Sequence, residues 1–244
     1  MTSKHEPGRR QALALALATV VLPARAAPLV PLFVGTGPPS DQTPQMLAWL
    51  ATQAGLGWDY RPTPWLRAQK LTAAGEGVMY GLSRTPRREK ELLFSLPIWT
   101  NHTWAVVRRG EEASIRRYGD LDGQAVCWAR GSSYGELFSQ AGLGRMKALE
   151  ANDDDTALRM AAAGRCRAAL ITLETGDATL AARHPALAGM QGRGLVLVPV
   201  AMTTTSLHFA TGLNSHWTWV IDRIDRVVAR SRTELDRLRL SAAE

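Results

Sequence analysis

The chain has 244 residues, of which 45% are apolar and 21% charged, enough to bury a core in one large or two small domains and too apolar for intrinsic disorder. The formal charge is +7, but Lys4, Arg9, Arg10 and Arg25 against Glu6 place +3 of it in residues 1–26, so the remainder is only +4. That mild excess, without lysine-rich runs interleaved with aromatics, excludes a nucleic-acid-binding surface as the leading reading.

Residues 1–26 carry a pattern of their own. Lys4, Arg9 and Arg10 form a basic start, Ala12 to Leu22 is apolar, and Pro23-Ala24-Arg25-Ala26 offers an Ala-x-Ala cleavage site. This is the pattern of a signal peptide, too short in its apolar core to anchor in a bilayer. The Arg9-Arg10 pair leaves both ordinary secretion and twin-arginine export open. No cysteine follows the cleavage site for lipidation, and no later stretch is apolar enough to span a membrane. The expected product is a soluble, exported, periplasmic protein.

The mature chain alternates strand and helix. Leu29–Gly35 reads as a strand ended by Gly-Thr-Gly-Pro-Pro-Ser, and Asp41 or Thr43 caps a helix to about Ala54. Trp58–Tyr60 is a second strand, Pro62 and Pro64 break the chain, and Trp65–Ala74 is a helix. Val78–Tyr80 is a buried strand, then Gly81-Leu82-Ser83-Arg84-Thr85-Pro86-Arg87-Arg88 makes a basic turn before helix-prone residues resume. Ile98–Arg109 is strand-like. A second cycle follows: strand Ala125–Trp128, turn Arg130–Ser133, helix Tyr134–Gln140, helix Asp153–Ala163, strand Ala168–Ile171, a partly helical Ala178–Ala188, strand Leu195–Val200 and a β-prone Thr203–Ala210. Trp217–Leu240 closes the chain as one long amphipathic helix. The alternation predicts an α/β fold with mostly parallel sheet, and the restart near Ser114 predicts two lobes.

Catalytic and metal chemistry find little support. His102, His184, His208 and His216 lack ligand spacing, and Asp153-Asp154-Asp155 reads as the first turn of a helix, where carboxylates favour the positive end of the dipole. Gly35-Thr36-Gly37 runs into prolines where a dinucleotide-binding helix should begin. Ser132 has no histidine with a reason to lie beside it, and no cofactor is implied. Anion binding is better served. Guanidinium groups and hydroxyls converge on the basic turn, and Gly131-Ser132-Ser133 between a strand and a helix offers backbone N–H groups and hydroxyls, or else ordinary helix capping. Trp65 and Tyr134 beside these turns are either core residues or stacking walls. Cys127 and Cys166 can bridge if their strands are neighbours; two separately buried thiols are the alternative.

The succession Gly81-Leu82-Ser83, Thr85-Pro86-Arg87-Arg88, Phe94-Ser95-Leu96-Pro97, Asp120-Leu121-Asp122-Gly123, Gly131-Ser132-Ser133-Tyr134-Gly135, and Ala157-Leu158 with Gly164-Arg165 resembles the periplasmic solute-binding proteins of the amino-acid (family 3) type. The resemblance covers essentially the whole mature chain. It implies the type II periplasmic-binding-protein fold, with lobe 1 at 27–105 and 201–244, lobe 2 at 106–200, and crossings near Thr103–Arg109 and Pro199–His208. It implies a monomer that closes on a small carboxylate-bearing ligand, an amino acid among the candidates, and delivers it to an inner-membrane ABC transporter permease without catalysis. Under the resemblance Arg88 clamps the ligand carboxylate bidentately, Ser83 and Gly81 contact it, Ser132 and Ser133 meet it from lobe 2, and Trp65 lies near the stacking aromatic. Thr172 stands where the family places an aspartate for the ligand ammonium; either Glu174 substitutes or the ligand lacks an α-amino group. A dehydratase-like enzyme using Glu174 as acid or base, and a ligand-sensing partner of a kinase, are the alternative functions.

Overall fold

The computed structural model describes residues 27–36, 42–134 and 145–240. The segment 1–26, the candidate cap Asp41 and the expected helix beyond Tyr134 lie outside the described residues. Among the described residues nine strands form one sheet in the order β2-β1-β3-β9-β5-β8-β6-β7, with β4 attached to β9. β1 (Leu29–Val34), β2 (Gly57–Pro62) and β3 (Val78–Ser83) pair in parallel at one end; β6 (Ala125–Ala129), β7 (Lys147–Ala151) and β8 (Ala168–Leu173) pair in parallel at the other. Every antiparallel ladder involves β5 (Trp99–Arg108) or β9 (Leu195–Gly212), which run side by side between the two ends. The expected α/β architecture is thus present, with the parallel ladders confined to the ends of the sheet.

The buried residues follow the same division. One pair of apolar clusters uses residues between Val30 and Trp99 and between Leu207 and Leu235, including Leu32, Met46, Leu50 and Phe209. The other pair uses residues between Trp104 and Met202, including Val106, Leu158, Leu170 and Ile171. α1 (Gln42–Ala54) contributes Met46, Leu47, Leu50, Ala51 and Ala54, the spacing of a single helical stripe. α3 (Asp154–Ala162) follows α2 (Trp65–Ala73) in chain order and is capped by Asp153, whose side chain accepts from Thr156 N at 2.7 Å.

Three local expectations are corrected, and one stretch given no element from the sequence forms a strand. β3 does not stop at Tyr80: a bulge at Gly81, φ 86°, lets it continue as Leu82 and Ser83 against His208 and Leu207. The residues after Arg87 make only a 3-10 turn, Arg88–Lys90, because β4 (Leu92–Phe94) is recruited to β9 and buries Leu92 and Phe94. Lys147–Ala151, composed largely of good helix formers, is an edge strand because β6 offers a parallel ladder there. The C-terminal helix is two: α5 (Thr218–Arg230) and α6 (Arg232–Leu240), following the short α4 (Ala178–Arg183), part at Ser231, φ −129° and ψ 31°, and the break lets Leu235 return to the core. Leu195–Val200 and Thr203–Ala210 join in the single strand β9.

β6 and β8 are adjacent, which brings Cys127 and Cys166 to a Cα–Cα distance of 5.9 Å, and they are disulfide-bonded. The bridge spans a separation of 39 residues, so loop closure predicts a contribution of about 4 kcal/mol. Reduction, or Cys166→Ser, is expected to lower Tm by on the order of 10 °C in a differential scanning calorimetry trace. An unchanged Tm would assign the bridge no role in stability.

Candidate functional site

The site is built where the two ends of the sheet face each other across β5 and β9. Pro64, at φ −51° and ψ 133°, stands immediately ahead of α2, so Trp65 opens the helix. Its indole lies over β3: a Cβ at Gly81 would meet Trp65 Cη2 at 3.5 Å, an ordinary contact, so it is the positive φ of the bulge, 86°, that calls for glycine there. One helical turn along the same face is Gln69.

Arg88 leaves the 3-10 turn and is held on three sides. Nη1 donates to Ser83 O at 2.7 Å and Ser83 Oγ at 3.1 Å, Nε donates to Gln69 Oε1 at 3.2 Å, and Nη2 donates to Gly131 O at 2.7 Å. Ser83 and Gln69 belong to its own half; Gly131 belongs to the other. Gly131 O also accepts from Gln69 Nε2 at 2.9 Å. Gly131 has φ 80°, and a Cβ there would come within 3.0 Å of Gln69 Nε2, so only glycine allows this approach. Burial first, and then the neighbouring charge of Arg87, push Arg88 down to about 10, and it remains a cation at neutral pH.

A small cavity of about 30 Å³ lies here. Trp65, Gly81, Ser83 and Arg88 line it from one half and Ser132, Ser133 and Thr172 from the other, so seven expected residues come together. Glu174 does not line it. Its Oε1 accepts from Thr43 Oγ1 at 2.7 Å across the cleft, while its Oε2 is buried without a hydrogen-bond partner. Tyr80 belongs to the same contact: burial, then the charge of Glu174, push its hydroxyl well above the usual range, against a smaller lowering by Thr43.

Asn101, Thr205 and Leu207 also line the cavity, and sequence reasoning missed them along with Gln69. Strand alternation carries the signal. Thr203, Thr103 and Thr172 form one cross-strand row; Asn101 pairs with Thr205 in the next, where continuation of the β5–β8 register faces Glu174. Asn101 Oδ1 on the floor and Trp65 Nε1 on the wall are buried without partners, as is Thr103 Oγ1 beneath, in the row beside Thr172. Buried polar atoms in native proteins are paired, so these atoms ask for a polar guest. The arrangement presents a cation and hydroxyls at one pole and unsatisfied acceptors at the other, which suits recognition of a small polar molecule.

Tyr134 is a core residue: it is buried, lies against Trp128 and hydrogen-bonds Leu170 O at 3.4 Å. A larger concavity of about 430 Å³ opens on the outer surface beside Lys90, Ser215 and His216. None of the buried unpartnered atoms among the described residues lies on it, and Ser215 is committed to Gly75 O and Trp217 N. The cleft is therefore the better candidate. Among the described residues no cluster of three His, Cys, Asp or Glu side chains is grouped to hold a metal ion.

No protein-family profile and no curated protein sequence matches the chain. Solved structures do. A histidine kinase sensor domain with similarity to periplasmic binding proteins superposes with a TM-score of 0.71 at 17% identity, covering 88% of this chain and 96% of that one. The GluR0 ligand-binding core in complex with L-glutamate gives 0.68 at 16% identity, covering 89% and 98%. The amino-acid ABC transporter substrate-binding protein AbpA from Streptococcus pneumoniae, bound to L-arginine, gives 0.66 at 17% identity, covering 89% and 94%. Identities this low speak for architecture alone, and on that ground the chain has the type II periplasmic-binding-protein fold of the amino-acid-binding proteins.

Proposed function

We propose that this protein is an exported solute-binding protein that captures a small carboxylate-bearing molecule, an amino acid in the first instance, between two closing lobes, residues 27–105 with 201–244 and residues 106–200. The observation that carries this reading is the cavity shared by Arg88 and Ser83 on one side and Ser132 and Ser133 on the other. Guanidinium and hydroxyl donors complement a carboxylate. Asn101 Oδ1 and Glu174 Oε2, both buried and unpartnered, complement an ammonium at the ligand's other end. In this reading Glu174, one residue past the end of β8, takes the part that an aspartate at Thr172 would play.

The mechanism is capture by hinge closure about β5 and β9, with no covalent step. A cavity of about 30 Å³ holds one or two water molecules and no amino acid, so the ligand enters an opened form. Residues 1–26 direct export to the periplasm, and the loaded monomer delivers its cargo to an ABC transporter permease. The likeness to a kinase sensor domain favours, as a second reading, presentation of the loaded form to a signalling partner.

A thermal-shift screen against amino acids, small organic acids and amines tests the function. A micromolar ligand at millimolar concentration stabilises by about 4 kcal/mol, on the order of 10 °C in Tm. Arg88→Ala is expected to abolish the shift, and Arg88→Lys, which keeps the charge but loses the fork, to retain a fraction of it. A full shift in Arg88→Ala would remove Arg88 from the site. Glu174→Gln is expected to weaken shifts from amino acids while leaving those from amine-free acids intact; equal losses for both would remove Glu174 as the ammonium partner.

A further inference from the structure

Among the described residues, the Gly131 carbonyl is an acceptor on which two donors from the opposite half converge. Arg88 Nη2 reaches it at 2.7 Å and Gln69 Nε2 at 2.9 Å. The same Gln69 amide accepts Arg88 Nε at 3.2 Å through Oε1. Gln69 therefore uses its two ends for two tasks, one aiming the guanidinium and the other holding the opposite half. The contact is fitted as well as bonded, since a Cβ at Gly131 would stand 3.0 Å from Gln69 Nε2 and 3.2 Å from Leu66 Cδ1.

The donor count gives the contact its consequence. Of the five N–H groups of a guanidinium, Gln69, Ser83 and Gly131 take four in this structure, which leaves one on Nη2. A carboxylate seeking two parallel N–H bonds from Arg88 must displace Gly131 O or Ser83. Gly131 O, reached from across the cleft, is the one that leaves when the halves separate.

We propose that Gln69 is a positioning residue which, with Arg88, latches the cleft shut on the Gly131 carbonyl, so that the halves must part and release this latch before a ligand carboxylate can be gripped by two N–H groups of Arg88. The first half of this statement stands without the proposed ligand; the second rests on the solute-binding reading. The two Gln69 functions are separable. Gln69→Glu keeps an acceptor for Arg88 Nε but turns a carboxylate oxygen toward Gly131 O, and Gln69→Ala removes both ends.

Small-angle X-ray scattering of the purified, ligand-free protein tests the latch. Wild type is expected to fit the closed structure, and both variants to show a larger radius of gyration, with Gln69→Glu opened at least as far as Gln69→Ala. The Tm of Gln69→Glu is expected to stay near wild type, because it keeps an acceptor for Arg88 Nε and position 69 is half-buried and absent from the apolar clusters; opening without destabilisation in this variant is what a merely structural residue would not produce. Wild-type scattering that does not fit the closed structure, or variants that scatter like wild type, would overturn the latch. A protein that opens as expected but is stabilised by no small acid would contradict the proposed function and leave the latch standing.

Discussion

A buried guanidinium has to find acceptors, and most of the site follows from how Arg88 finds them. Its N–H groups are shared among a strand carbonyl and hydroxyl at Ser83, a helix amide at Gln69 and a turn carbonyl at Gly131. Those three partners come from β3, from α2 and from the segment after β6, so satisfying one side chain fixes the relation of three elements and of the two halves. Removing the charge from water is unfavourable, and burial pulls Arg88 down to about 10. The arrangement holds because nearly every donor is met, with room for one more acceptor.

The frame that makes this possible is the pair of strands β5 and β9. They lie antiparallel through the middle of the sheet, and their polar stretch, Asn101–Thr103 beside Thr203–Thr205, falls where the apolar clusters of the two halves end. A run of hydroxyls and one amide in the centre of a sheet would be a poor core. As the floor of a cleft it is chemically apt, because a guest can meet Asn101 Oδ1, which no protein atom meets. Leu207 and Trp65 supply the apolar surface that such a guest also needs.

Much of this was legible in the sequence, for reasons that can be stated. The strand-and-helix alternation predicts the α/β sheet, and turns rich in glycine, hydroxyls and arginine mark strand ends where ligand clefts form. Arg88, Ser83, Trp65, Ser132 and Thr172 were found that way or through the resemblance, and they do share one cavity. What escaped notice depends on pairing partners that a linear reading does not supply. Lys147–Ala151 is helix-forming by composition and becomes a strand only because β6 accepts it. Gln69 is unremarkable until Gly131 arrives from 62 residues away. Its place four residues after Trp65 was the available hint. The expected bidentate clamp was an incomplete picture for a similar reason, since the sequence does not say that Arg88 also serves a carbonyl of the opposite half.

The proposed ligand site lies in this cleft and is centred on Arg88. It is tested most directly by a crystal structure grown with the small acid that stabilises the protein best. Density for a carboxylate is expected against Arg88 and Ser83, beneath Trp65, with Gly131 O displaced from Nη2. Density in the outer concavity beside Lys90 and His216, with Arg88 still bound to Gly131, would contradict it.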